Sequence, residues 1–291
     1  SISDDELRMF FEVAGARQVP IHVHVRGGYT GDIAGLIEVV HLAKETKAPL
    51  FVVHITHNAM GKVSEWLEII DDANDAGANI ATETLSYAAG GTSISADVFR
   101  NRDWQGMFDI THEDVQWVAT GEWLTEETWN KYASEQPGGA VNHHYVKEDW
   151  IETALKWPRM MVATDALPAV DLRVKTNPNV AGTFSRVLGH YVRDTGLLTL
   201  SDGLARMSLY QAQWLSQSSS SFDKKGRIQL GADADIVIFD PIKVQANAAY
   251  GDPYQPPSGI PYVVVAGQIV VKNSVVVAGV YPGKRILGDT K

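Results

Sequence analysis

Two histidines and an aspartate follow short apolar segments of this chain. His24 lies in IHVHVR, His54 closes the apolar run of APLFVVHIT, and Asp165 directly follows MMVAT. If these segments are parallel strands of a β/α barrel, their carboxyl ends share one face, where imidazoles and a carboxylate can converge on a divalent metal. The pattern therefore indicates a metal site of the kind that activates water for hydrolysis.

Each of these residues also has a structural interpretation. His22 and His24 alternate on one strand, with Arg26 beyond them, and a single HxH motif is more typical of two interior histidines with satisfied hydrogen bonds than of a metal site. Asp165 is more informative, because a carboxylate at the end of a buried strand is costly unless it is paired, metal-bound or hydrogen-bonded. Together, His24, His54 and Asp165 at strand ends favour one shared site.

Composition limits the possible partners. The 291 residues can bury a sizeable core, and a formal charge of -10 disfavours nucleic acid or an anionic membrane as a partner. A small-molecule substrate fits better. The chain has no cysteine, so a metal would be held by His, Asp, Glu or a modified Lys. No apolar run approaches the roughly 20 residues of a membrane-spanning helix.

The residue pattern predicts strands that alternate with helices. Apolar segments at 21–25, 49–53 and 79–82 are each preceded or followed by a segment with helical spacing of apolar residues, which predicts a parallel sheet with right-handed crossovers. A Trp- and Gly-rich insertion at about 88–146 interrupts this order. Such long excursions are usually lids or oligomer contacts. A strand at 160–164 and helices at 148–155, 183–193 and 201–216 follow the interruption.

The last part of the chain predicts a small β-domain. After the polar tract at 218–221, short apolar segments are separated by Gly, Asn and Pro turns. We therefore expect two regions, residues 1–220 with the parallel sheet and residues 221–291 with the small β-domain.

Longer motifs carry a family resemblance. APLFVVHIT with ANIATETLSY resembles the hydantoinase and dihydroorotase branch of the amidohydrolase superfamily, and NPNVAGTFSRVLGHYVRDTGLLTLSDGLARMS, GRIQLGADADIVIFDP and GIPYVVVAGQIVV are closely similar to its D-aminoacylase (N-acyl-D-amino-acid deacylase) branch. The similarity covers nearly the whole chain, and the insertion matches least. It implies an α/β fold: the C-terminal half of a (β/α)8 metallo-dependent hydrolase barrel, strands five to eight, plus part of a small β-sandwich domain.

The resemblance also implies roles for the three strand-end residues. His24 and His54 would bind metal as the strand-five and strand-six histidines. Asp165 would be the strand-eight aspartate, which binds metal in some members and takes a proton from the attacking water. The implied cofactor is one or two zinc ions, or another divalent metal. Tyr87 matches a tyrosine that polarises the scissile carbonyl or contacts substrate, with an aromatic wall residue as the alternative.

Further substrate contacts are implied on the same basis. His144 matches a histidine before an acidic helix and is a candidate substrate contact, with a surface-loop histidine as the alternative. Thr56 stands where D-aminoacylases carry a lysine that holds the substrate carboxylate. Arg26, Lys62 and Arg186 are candidates to replace that lysine.

The resemblance further implies that strands one to four of the barrel belong to another polypeptide. The family's strand-one His-x-His pair and strand-four bridging ligand are not in this chain, and half a barrel would have two open edges. We expect a second polypeptide with strands one to four, as a heterodimer or a cleaved precursor, and a higher oligomer. Ser1 could be a self-processing site, because its hydroxyl can attack the preceding carbonyl; outside proteolysis and split genes are the alternatives, and mass analysis of a Ser1→Ala variant separates them.

The expected activity is hydrolysis of a small-molecule amide. The resemblance implies a metal-dependent amidohydrolase that cleaves a non-peptide C–N bond of an N-acyl amino acid or related acylated amine, with Asp165 shuttling the proton. One alternative is a cyclic amidase like the hydantoinases. The other is a non-catalytic barrel paralogue that serves as a binding or assembly subunit.

Overall fold

The computed structural model describes residues 2–28, 32–100, 102–166, 172–173 and 175–289. Ser1, expected as a processing site, lies outside the described residues. None of the helices within these ranges is long and apolar enough to cross a membrane.

A four-stranded parallel sheet carries the predicted site residues. In the chain-order numbering used here, its strands are β1 (Ile21–Val23), β2 (Leu50–Val52), β3 (Ile80–Thr84) and β8 (Met161–Val162), hydrogen-bonded in that order. The register pairs Val23 with Val52 and Val52 with Thr82, so the carboxyl ends of the strands lie along one edge. The sheet is open, with β1 and β8 at its two edges.

Amphipathic helices cover this sheet. The helices are α1 (Asp4–Arg17), α2 (Ala34–Thr46), the short α3 (Ile55–Ala59), α4 (Val63–Asp75) and α8 (Glu148–Lys156). The predicted helical stripe of α4 is confirmed, because its buried residues are Val63, Trp66, Leu67, Ile70 and Ala73. These side chains join β1, β2 and α2 in one apolar core that holds the strands in place.

The Trp-rich segment folds around its own sheet. The antiparallel strands β4 (Gly90–Ser93), β7 (Ala140–His143), β5 (Val115–Trp117) and β6 (Glu122–Trp123) pair in that order. Between them lie α5 (Asp97–Arg100), α6 (Trp104–Phe108) and α7 (Glu126–Glu135). Their core is largely aromatic and includes Phe99, Trp104, Phe108, Trp117 and Trp129. The rings fix the position of β4 and β7 beside the parallel sheet.

Helices and a second antiparallel sheet complete the described chain. Helix α9 (Asn179–Arg186) continues through π-helical turns to Asp194, and α10 (Leu200–Leu204) is joined to α11 (Tyr210–Leu215) in the same way. The strands β9 (Ile236–Ile238), β10 (Tyr262–Val265), β11 (Gln268–Lys272) and β12 (Val275–Val276) form the second sheet. Apolar side chains stand exposed in this region, namely Ile228, Leu230, Ile242, Val275, Val276, Tyr281 and Leu287.

We expect Gly35→Ala to destabilise the protein by about 1–3 kcal/mol, as overpacking does. A Cβ at Gly35 in α2 would lie 2.0 Å from the Arg26 carbonyl oxygen, which is backbone and cannot rotate away. The clash outweighs the gain of about 1 kcal/mol that alanine brings to a helix interior. Gly138→Ala is the matched control, because nothing lies within 4 Å of its added Cβ. If both variants had the same free energy of unfolding in urea, α2 would not be in tight contact with the Arg26 backbone.

Candidate functional site

His24 and His54 meet at the carboxyl ends of β1 and β2. His24 directly follows β1, and His54 lies two residues beyond β2. The distance from His24 Nδ1 to His54 Nε2 is 3.0 Å, and the two rings stand edge to face with centroids 4.7 Å apart. Parallel pairing of the two strands thus directs two imidazole nitrogens at one point, as the sequence predicted.

Hydrogen bonds hold His54 in an uncommon backbone conformation. Its φ of 36° and ψ of 56° lie in the left-handed region, which costs about 1 kcal/mol or more for a residue other than glycine. Its backbone N–H donates to Glu83 Oε1 in a short contact. Asn58 Nδ2 lies 3.0 Å from His54 Nδ1 and donates to the Val53 carbonyl at 3.1 Å. The surrounding residues therefore fix both the backbone and the ring.

Asp165 shares this conformational feature. It follows β8, and its φ of 46° also lies in the left-handed region. Backbone strain of this kind collects where the surroundings force a side chain into a functional position. Two of the three predicted site residues are thus held in the same sparsely populated conformation.

Both histidines are neutral at pH 7. Burial, together with the smaller effects of His24 and His57 in the same direction, lowers the pKa of His54 to about 3. Burial also lowers the pKa of His24, against the opposing effect of the Asp165 charge. Neutral imidazoles present lone pairs, which is the form that binds metal ions.

Two carboxyl groups lie beside the histidines. Burial raises the pKa of Glu83 to about 8; the His54 N–H opposes this effect and the nearby Asp165 charge adds to it. Asp165 remains accessible to solvent, yet partial desolvation raises its pKa as well, with His24 acting in the opposite direction. Glu83 Oε2 is buried and has no hydrogen-bond partner. Buried carboxyl oxygens of this kind indicate a bound ion, a proton or a water.

The donor set fits a divalent metal in part. Ligands on a tetrahedral ion with Zn–N bonds of about 2.0–2.1 Å lie about 3.3 Å apart, close to the 3.0 Å between the two imidazole nitrogens. Asp165 supplies a carboxylate nearby, and its charge acts on His24. Within the described ranges, no three or more His, Asp or Glu side chains lie together in a group that could hold a metal ion. The pair is therefore a partial ligand set.

A cavity of about 320 Å³ opens beside this cluster. His54 and Asp165 line one part of it, and strand β4 with the loop before it lines another. Its lining residues are His54, His57, Leu85, Ala89, Gly90, Gly91, Thr92, Ala96, Val98, His143, Tyr145, Asp165, Asn177 and Asn179. A volume of this size suits a small organic substrate.

Two further neutral histidines form part of the cavity wall. Burial lowers the pKa of His57 to about 4, against the effect of the Ala89 carbonyl, and lowers the pKa of His143 to about 3. His143 stacks on Tyr145, with ring centroids 4.9 Å apart, and the Tyr145 hydroxyl donates to the His57 carbonyl at 2.9 Å. These contacts join the insertion to the strand-end histidines.

The structure places the other predicted substrate contacts away from the cavity lining. The Tyr87 hydroxyl donates to the Ala248 carbonyl at 3.0 Å. His144 packs against Trp123 and Tyr250.

Two of the three cations considered for substrate binding, Arg26 and Arg186, have partners elsewhere, and Lys62 is exposed and does not line the cavity. Arg26 pairs with Asp4 at 2.9 Å and, in a shorter contact, with Glu38. Arg186 donates to the Ser86 carbonyl at 2.7 Å and to Glu148 at 3.1 Å. The geometry therefore does not bring these side chains, or Tyr87 and His144, to the meeting point of His24 and His54.

Glu83, Asn58, His57 and His143 were not among the residues predicted for the site. Glu83 could have been found by the criterion applied to Asp165, because it is a carboxylate within the apolar strand pattern of β3. His143 could have been separated from His144 by strand alternation, since Val141 and His143 share the face of β7 that is buried in the aromatic core. Asn58 carries no such signal, because its role depends on the ring orientation of His54.

A comparison of the sequence with models of protein families identifies the family of this chain. The model of the Amidohydrolase family matches residues 1–271, nearly the whole chain. The chain belongs to the amidohydrolase family. The resemblance described from the sequence motifs is confirmed at this level.

Known relatives of this amidohydrolase chain are deacylases. It is 29% identical over 258 residues to D-aminoacylase of Alcaligenes xylosoxydans xylosoxydans, covering 84% of this chain and 50% of the relative. It also matches the crystal structure of N-acyl-D-glutamate deacylase from Bordetella bronchiseptica, complexed with zinc and a phosphonate inhibitor, with a TM-score of 0.78 and 26% identity over 92% of this chain and 56% of that one. The chain thus spans about half the length of these relatives.

A crystal structure of D-aminoacylase shows the same fold. The TM-score is 0.76 with 21% identity, and the match covers 95% of this chain and 58% of that chain. The predicted α/β fold is therefore confirmed as one that matches D-aminoacylase structures, and the described strands form an open sheet rather than a closed barrel.

The lowered pKa of buried His57 should make the free energy of unfolding depend on pH. His57 has a folded-state pKa of about 4 against the usual 6.5, so below pH 6.5 the unfolded state binds a proton that the folded state does not. Between about pH 8 and about pH 5.5 this histidine alone should lower the free energy of unfolding by about 1.4 kcal/mol. His57→Gln should remove that part of the pH dependence in urea unfolding. His41→Gln, at an exposed position, is the control; an unchanged pH dependence in His57→Gln would contradict the assignment.

Proposed function

We propose that this chain forms part of a metal-dependent amidohydrolase that cleaves the C–N amide bond of an N-acyl amino acid or a related acylated amine. The observation that carries this proposal is the pair of neutral imidazoles, 3.0 Å apart at adjacent strand ends, with Asp165 beside them on the wall of a 320 Å³ cavity. The deacylase names of the relatives support the same reaction class.

His24 and His54 would hold the metal, and Asp165, whose charge acts on His24, would serve as a further ligand or as the proton carrier once the site is complete. A divalent metal in such a site lowers the pKa of a water toward neutrality and polarises a carbonyl group. Zinc suits this donor set, because it accepts histidine nitrogen and carboxylate oxygen. Glu83 accepts the His54 backbone N–H and so keeps the backbone in place, as outer contacts commonly do for a ligand histidine.

Asp165 is the proton carrier in this proposal. Hydrolysis of an amide needs one group to take a proton from the attacking water and to return it to the leaving nitrogen. A carboxyl whose pKa is raised by desolvation holds a proton more readily than an ordinary aspartate and so suits both steps. Its position on the cavity wall, next to His24 and His54, lets one carboxyl serve both the water and the leaving amine.

We further propose that a polypeptide carrying the first four strands completes the barrel. Strands β1 and β8 form the edges of an open parallel sheet, and an exposed edge strand can pair with a strand of another chain. The C-terminal sheet region exposes many large apolar side chains, with Leu230 fully exposed and Ile228 90% exposed. The same polypeptide would cover this surface and supply the remaining metal ligands.

Removal of the Asp165 carboxylate should abolish most of the activity. Asp165→Asn, in the protein with its complete barrel, should reduce kcat for an N-acetyl-D-amino acid by about 10²- to 10⁴-fold, the usual contribution of a general acid and base. Asp72→Asn, at an exposed position of α4, is the matched control and should keep wild-type kcat. Chelation should abolish the wild-type activity, and added zinc should restore it.

Other outcomes would contradict this proposal. Full activity in Asp165→Asn would show that Asp165 is not the proton carrier. Ring opening of a hydantoin without release of acylate from N-acyl amino acids would identify a cyclic amidase instead. A protein with neither activity and no bound metal would be a binding or assembly subunit.

A further inference from the structure

Asn177 presents its side-chain amide to the cavity beside the catalytic cluster. It is half-buried, lies two residues before helix α9 and lines the cavity together with His54 and Asp165. Its Oδ1 accepts the backbone N–H of Asn179 at 3.1 Å. Because a backbone amide can only donate, this contact determines which side-chain atom is the oxygen, and Nδ2 is therefore the atom left as a donor.

The Nδ2 group of Asn177 is available to a ligand. Among the residues that the structure describes, Nδ2 has no hydrogen-bond acceptor. Gly91 stands opposite, and a Cβ added there would lie 3.5 Å from Asn177 Nδ2 and 3.5 Å from Asn142 Oδ1, so the glycine leaves space in front of the amide. A donor that is half-buried and without a partner is expected to bind an oxygen acceptor when the cavity is filled.

The position of Asn177 identifies the part of the substrate that it meets. Asp165 and Asn177 enter the cavity from the same connection, between β8 and α9. In the proposed reaction Asp165 returns its proton to the leaving nitrogen. If the leaving nitrogen faces Asp165, the group attached to it can reach Asn177 across the same cavity.

We propose that Asn177 is a specificity-determining residue that donates from Nδ2 to an oxygen acceptor on the amine portion of the substrate. This inference rests on the proposed amide hydrolysis and names its substrate class: acylated amines that carry a carboxylate or carboxamide oxygen near the scissile nitrogen. Both oxygens accept an amide N–H, and a charged carboxylate gives the stronger hydrogen bond. Asp165 is the only acidic side chain among the described residues that line the cavity, and Asn177 offers an uncharged donor to an incoming acceptor there.

Three substrates and two variants test this assignment. The substrates are N-acetyl-D-alanine, N-acetyl-D-alaninamide and N-acetylethylamine, which has no second oxygen. Asn177→Ala removes the donor and should lower kcat/KM for the two oxygen-bearing substrates by about tenfold, mainly through KM. It should change N-acetylethylamine by less than about twofold. A larger loss for the acid than for the amide identifies the carboxylate as the natural acceptor, and the reverse identifies the carboxamide.

Asn177→Asp separates binding from folding. An aspartate oxygen still accepts the Asn179 N–H, so the melting temperature should stay at the wild-type value while the donor is lost. Its preference for the oxygen-bearing substrates should fall at least as far as in Asn177→Ala, and furthest for the carboxylate, which the new charge repels. A variant that melts lower and loses activity equally on all substrates would reveal a purely structural role.

The remaining outcomes overturn the inference or test it without turnover. An equal fall of kcat/KM on all three substrates in Asn177→Ala would contradict a contact to the amine portion, and unchanged values would contradict any contact. If the wild type hydrolyses none of them, the proposed function fails. Calorimetry then decides the role of Asn177 separately: tighter binding of N-acetyl-D-alanine than of N-acetylethylamine, lost in Asn177→Ala, supports it, and equal binding refutes it.

Discussion

The parallel pairing of β1 with β2 is the constraint on which the site depends. Because side chains alternate along a strand, a register shift of one residue would turn the His24 imidazole to the opposite face. The observed register instead sends His24 and His54 to a single point. His22 serves a different purpose: its ring stacks on Phe51 at 4.6 Å and accepts from Trp214 Nε1 at 3.4 Å.

The same region is locally costly to fold. His54 and Asp165 hold left-handed backbone conformations, and the Glu83 carboxyl is buried with one oxygen unpartnered. Each of these features disfavours the folded state by about 1–3 kcal/mol. They persist because the packed core of β1, β2, α2 and α4 determines the strand ends, and because the His54 N–H and Glu83 satisfy each other. A bound cation would offset part of this cost through the buried lone pairs and carboxyls.

Many of the helices and strands could be predicted from local sequence patterns, but the residues that line the cavity could not. The helical spacing of α4 and the apolar strands β2 and β3 depend on neighbouring residues, so the sequence predicts them well. The meeting of His24 and His54 follows from strand-end geometry alone. The Tyr87 hydroxyl, by contrast, bonds to Ala248, a residue 161 positions away, and the cavity contact of His143 rather than His144 depends on the sheet of the insertion. Such distant contacts leave no local pattern.

Anomalous diffraction at the zinc edge, from crystals of the zinc-loaded protein with its complete barrel, tests the central claim most directly. The proposed metal site predicts one anomalous peak within about 2.1 Å of both His24 Nδ1 and His54 Nε2, the usual zinc–nitrogen bond length. A peak that contacts neither imidazole, or a fully loaded protein whose two rings remain in direct contact with each other, would contradict it.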